Sequence, residues 1–146
     1  MVIGIFGESC VGKTTLAEKV SKAINARIYT GKDYLRLAKN ENMAEKMFET
    51  LLQEAVVGDS VIYVISEKEH LKLLPEGAIR ILVTADLDLI KDRFAARIHG
   101  KLPAPIEKML EKKHGCFDEE KHDLHINSQE DENSDIVDQI MAFIHN

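Results

Sequence analysis

The chain has 146 residues, 45% of them hydrophobic and 30% charged, which suits one globular domain (1–146) with its own core and leaves no room for a second. Its formal charge of −6 at pH 7 argues against general nucleic-acid binding through a basic surface, and no apolar stretch approaches the roughly 18 residues of a membrane span. The opening apolar run is short and lacks preceding basic residues, so no signal peptide is expected, and a cytoplasmic location with reduced cysteines is.

In chain order, Val2–Phe6 reads as a buried strand that runs into Gly7-Glu8-Ser9-Cys10-Val11-Gly12-Lys13-Thr14. This is the G-x-x-x-x-G-K-[ST] pattern of a phosphate-binding loop. Gly7 and Gly12 let the backbone turn tightly, so that successive N–H groups, those of Glu8, Ser9, Cys10 and Val11 included, can face an anion. Lys13 supplies a charge for the β- and γ-phosphates, the Thr14 hydroxyl suits a Mg²⁺ that already holds phosphate oxygens, and Thr15 extends the loop into the next helix. The pattern calls for ATP and Mg²⁺ as cofactors. Leu16, Val20 and Ile24 recur every four residues, so Lys13–Ile24 is expected to be a helix that lends its positive dipole end.

Further strands are expected at 27–29, 60–65, Ile79–Thr84 and 124–126. Helices are expected as a pair within 34–57 and at 68–74, 88–98, 106–113 and 134–144, the last with Ser134 as N-cap after an exposed acidic turn at 130–132. Leu87, Ile90, Phe94 and Ile98 form one apolar stripe on the fourth of these segments. Alternating strands and helices predict a parallel sheet with helices on both faces, and ligands then belong at the carboxyl ends of the strands, just after Gly7, Thr30, Ser66, Ala85 and Asn127. His122 and His125 lack further ligands nearby, so no structural zinc is expected.

The segment Tyr29-Thr30-Gly31-Lys32-Asp33-Tyr34-Leu35-Arg36 resembles the Ser-Thr-Gly-Asp-x-x-Arg region of nucleoside monophosphate kinases, especially the adenylate and cytidylate kinase group, with one extra residue between Thr30 and Arg36. Residues 81–85 and the helix bearing Arg93 are similar to that family's fourth strand and lid helix, and His122-Asp123-Leu124-His125-Ile126-Asn127 is similar to its Tyr-Asp-Leu-x-Ile-Asn strand. The resemblance implies a three-layer α/β/α phosphate-loop NTPase fold with a five-stranded parallel sheet, an acceptor-binding insertion at about 31–57 and a short lid at about 97–107. It implies that Thr30, Gly31, Asp33 and Arg36 bind the acceptor, that Arg93 and Arg97 close over the transferring phosphoryl group, and that Asn127 borders the base.

The chain departs from that family where its third strand is followed by Ser66-Glu67-Lys68-Glu69-His70, without the usual arginine, and where Ile90, Lys108, Lys112 and Lys113 stand in place of lid arginines. Lysine lacks the bidentate fork that matches phosphate oxygens. Three readings follow: a kinase of nucleoside monophosphates, a kinase of a small hydroxylated metabolite of the shikimate or gluconate type, and a nucleotide-binding regulatory module without transfer chemistry. On each, the partners are ATP and, for the kinases, a small anionic acceptor, with a monomer or homodimer expected.

Overall fold

A computed structural model describes residues 1–128 and 135–145. Five strands, β1 (Val2–Phe6), β2 (Arg27–Thr30), β3 (Val61–Ile65), β4 (Ile79–Thr84) and β5 (Leu124–Asn127), form one sheet in the order β2-β3-β1-β4-β5, with every pairing parallel. Five α-helices complete it: α1 (Lys13–Ile24), α2 (Glu41–Ala55), α3 (Leu87–Arg97), α4 (Ala104–Lys113) and α5 (Asp135–His145). No helix among the described residues is long and apolar enough to cross a membrane.

Strands β1 and β3 are buried at every position because both sheet faces are covered there, and alternation sends neighbours to opposite sides. Val2, Phe6, Tyr63, Ile65 and Leu82 join α2 in one core, while Ile3, Ile5, Ile62, Val64 and Ile81 join α1 and α5 in the other. Those two cores make the fold a three-layer α/β/α sandwich. At Gly4 a Cβ would lie 2.5 Å from Leu74 Cδ1, so the missing side chain is where Leu74 crosses β1.

Two segments read as helices take a tighter form. Asp33–Leu37 and Lys68–Leu73 are 3-10 helices. Three residues per turn place His70 and Leu73, and Leu71 and Leu74, in line, and all four are buried; Pro75 follows at once and leaves no length for an α-helix. The expected stripe on α3 also ends early, since Ile90 is buried but Ile98 is exposed beyond the helix's last turn, where α4 is the packing partner. Expected strand and helix bounds otherwise agree to within about two residues. The Ser134 cap and the acidic turn at 130–132 lie outside the described residues.

The topology fixes where a ligand belongs. β1 stands in the middle, with β2 and β3 on one side and β4 and β5 on the other, so the order of the sheet reverses at the carboxyl end of β1. The glycine-rich segment starts at that point.

Candidate active site

From Phe6 the chain turns sharply, held by the Gly7 N–H donating to Ile65 O at 3.2 Å. A Cβ on Gly7 would sit 2.3 Å from the Val83 carbonyl oxygen, so only glycine lets the loop lie this close to β4. Cys10 (φ 66°) and Gly12 (φ 100°) take left-handed backbone, the alternation that curls successive amides into an anion-binding concavity. Helix α1 begins at Lys13 with no side-chain cap on its first turn, which leaves that turn's N–H groups and its dipole facing the concavity.

Lys13 is 5% exposed, and its ammonium donates to Gly7 O (2.8 Å) and Glu8 O. Burial is the main reason its pKa falls to about 8, with the Arg97 charge adding to the shift. Its charge lies inside the loop rather than in solvent.

Two cavities flank the loop. The smaller, of about 120 Å³, is lined by Ser9, Lys13, Thr14, Thr30, Ser66 and Arg97, among others. Its polar character is that of hydroxyls and two cations. The larger, of about 480 Å³, opens between α1, α3 and α5 and is walled by Leu16, Val83, Ile126, Ile136 and Val137, with Arg93 and Ser128 at its polar side. Apolar walls with a few convergent polar groups suit a flat heterocycle. Among the described residues no three His, Cys, Asp or Glu side chains are placed to hold a metal, but Mg²⁺ keeps most of its ligands as waters and phosphate oxygens. The Thr14 and Ser66 hydroxyls in the smaller cavity therefore fit a Mg²⁺ that arrives with a triphosphate.

Glu8 and Val11 are expected at the site through their N–H groups, and their side chains lie away from both cavities: the Glu8 carboxylate meets His114 and Gly115, and Val11 is fully buried in the core. Asn127 does not wall the larger cavity: along β5 the side chains alternate, which puts Ile126 and Ser128 on that side and Asn127 on the opposite one, near Thr84 and Asp86. Arg93 and Arg97 share a helical face but have different surroundings. Arg93 Nη1 donates to Cys10 O (3.0 Å) and approaches Ser128 Oγ (3.4 Å) beside the larger cavity, whereas Arg97 lines both cavities.

The expected acceptor residues scatter as well. Thr30 lines the smaller cavity, and Gly31 (φ 51°) accepts a hydrogen bond from Tyr63 Oη at 2.7 Å. The Asp33 carboxylate accepts from the Thr30 N–H at 2.9 Å, and the Arg36 side chain is 79% exposed with its guanidinium 3.6 Å from that carboxylate. Neither Asp33 nor Arg36 lines the cavity. Sequence reading missed Lys19 and Ser128 as cavity residues; Ser66 was signalled by its place just after a strand.

No protein-family model matches the chain, and no curated relative does. Among solved structures, the YorR protein of Bacillus subtilis, in complex with phosphorylated GDP, is similar at 19% identity and a TM-score of 0.70, over 99% of this chain and 96% of that one. A sugar kinase from Janibacter sp. HTCC2649 is similar at 16% identity and a TM-score of 0.67, over 99% and 94%. Shikimate kinase from Acinetobacter baumannii, in complex with shikimate, is similar at 14% identity and a TM-score of 0.67, over 98% and 92%. These likenesses show that the chain shares the α/β fold of that sugar kinase and that shikimate kinase, with the glycine-rich loop at the carboxyl end of β1.

Proposed function

We propose that the chain transfers the γ-phosphoryl group of Mg·ATP to a hydroxyl group of a small metabolite. The observation that carries this reading is the convergence of Lys13, Thr14, Thr30, Ser66 and Arg97 on one small cavity next to an apolar one large enough for a base. The loop amides would hold the phosphates of the nucleotide, and Lys13, which donates to the Gly7 and Glu8 carbonyls, would supply the charge for its β- and γ-phosphates. Thr14 would offer its hydroxyl to a bound Mg²⁺, which would supply charge neutralisation. Arg93 walls the base site, and Arg97 offsets charge on the transferring group. Transfer in this class is mainly positioning and charge stabilisation; the acceptor hydroxyl also gives up a proton, and we assign that proton to Asp33, whose carboxylate accepts from the N–H of cavity-lining Thr30.

The kind of acceptor is argued from Arg36. A monophosphate acceptor needs a guanidinium fork aimed into the cleft, and Arg36 instead stands in solvent beside Asp33. Hydroxyl donors and acceptors at Thr30 and Ser66 suit a polyol or hydroxy acid better, and kinases of a sugar and of shikimate share the fold. A nucleoside monophosphate remains the second reading, favoured by the likeness to a protein in complex with phosphorylated GDP.

The test is a coupled turnover screen with Mg·ATP against sugars, sugar acids and shikimate on one side and AMP, CMP, UMP and GMP on the other. Transfer to a hydroxylated metabolite, lost in Lys13→Ala and changed less than about twofold in Arg36→Ala, is the expected result. Transfer to a monophosphate that Arg36→Ala abolishes would favour the second reading, and ATP binding without any transfer would favour a regulatory module.

A further inference from the structure

The side chain of Glu8 has no part in the site just described, although it belongs to the phosphate loop. It is only 10% exposed, and both carboxylate oxygens are engaged: one lies 3.1 Å from His114 Nδ1, and the other accepts from the Gly115 N–H at 3.1 Å. Gly115 takes φ 81°, a conformation that L side chains rarely adopt, and this turns its N–H back toward the loop. His114 and Gly115 directly follow α4, so the carboxylate holds the far end of that helix.

The same helix pair is also held midway along α3. Arg93 on α3 donates to Cys10 O within the loop. Between the two anchors Lys91 on α3 lies 3.2 Å from Glu107 and 2.8 Å from Glu111 on α4, which joins the two helices side by side. Arg97, in the last turn of α3, therefore belongs to a helix hairpin held to the phosphate loop at two points, midway along α3 and just past the end of α4, with the connection at 98–103 as the unpinned part.

We propose that Glu8 is a positioning residue: its carboxylate latches the end of α4 to the phosphate loop and so fixes Arg97 over the phosphate cavity. The kinetic part of this inference rests on the phosphotransfer reading; the latch itself does not. A carboxylate suits the task because its two oxygens serve a ring nitrogen and a main-chain N–H together. Glutamine can keep the Gly115 contact through its oxygen and donate to an unprotonated Nδ1, whereas alanine loses both.

Hydrogen exchange read by mass spectrometry tests the latch without turnover. In Glu8→Ala, exchange over 104–116 should rise about tenfold while β1 and β3 stay protected, and Glu8→Gln should stay within about twofold of wild type. Unchanged exchange over 104–116, or an equal rise throughout the sheet, overturns the proposal. A double-mutant cycle then asks whether Glu8 acts through Arg97. Glu8→Ala should lower kcat about tenfold with KM for Mg·ATP within about twofold, and should cost nothing further in an Arg97→Ala background. Additive losses overturn the coupling. Should the wild type transfer phosphate to no acceptor, the proposed function fails instead, and the exchange measurement over 104–116 by itself upholds or overturns the latch.

Discussion

At the scale of single residues, Lys13 is the buried charge of the phosphate loop. With a pKa of about 8 against an ordinary 10.5, it begins to lose its proton just above neutral pH, because the buried ammonium is poorly solvated. Bound phosphates favour the ammonium and raise that pKa. ATP binding should therefore take up a proton above about pH 8, and affinity should fall as pH rises through that value, by at most roughly tenfold per unit. Calorimetry in two buffers of different ionisation enthalpy measures the uptake; equal heats at pH 8.5 would contradict it. The two arginines of α3 should separate in kinetics: Arg93→Ala raises KM for ATP, while Arg97→Ala lowers kcat by about a hundredfold. Lys13, Thr14 and Thr30 were legible as cavity residues because the motif and the strand end name them. Arg36 was not, because a 3-10 turn after β2 rotates it into solvent, and Asn127 was not, because strand alternation moves it one face away.

At the scale of elements, strands announce themselves through unbroken apolar runs, and the central ones are legible for the same reason that they are buried on both faces. The segment at 68–73 is ambiguous by pattern alone, since its buried residues at 70, 71, 73 and 74 satisfy an α-helical spacing as well as a 3-10 one. Helix α2 begins where Asn40 accepts from the Met43 N–H at 3.1 Å, and Asn40→Ala should cost about 1 kcal/mol in chemical denaturation without changing ATP affinity. Gly7→Ala is different in kind. Its new methyl meets a main-chain carbonyl rather than a yielding side chain, so the loop must shift, with an expected loss of about 1–3 kcal/mol and of nucleotide binding together. A thermal melt with and without Mg·ATP reads both effects.

At the scale of the whole molecule, the sheet divides the interior into two cores that meet only across the strands, and the site lies along the edge where both end. One consequence concerns time rather than shape. The strand that carries the phosphate loop is first in the chain but central in the sheet, paired with Val61–Ile65 on one side and Ile79–Thr84 on the other. Neither neighbour exists when a ribosome has finished the loop, and both pairings close long stretches of chain, which makes them slow steps in folding. Recovery of binding to a fluorescent ATP analogue during refolding is accordingly expected to lag the helical signal. The nascent chain must wait for β4 before the strand leading into the phosphate loop has both of its partners.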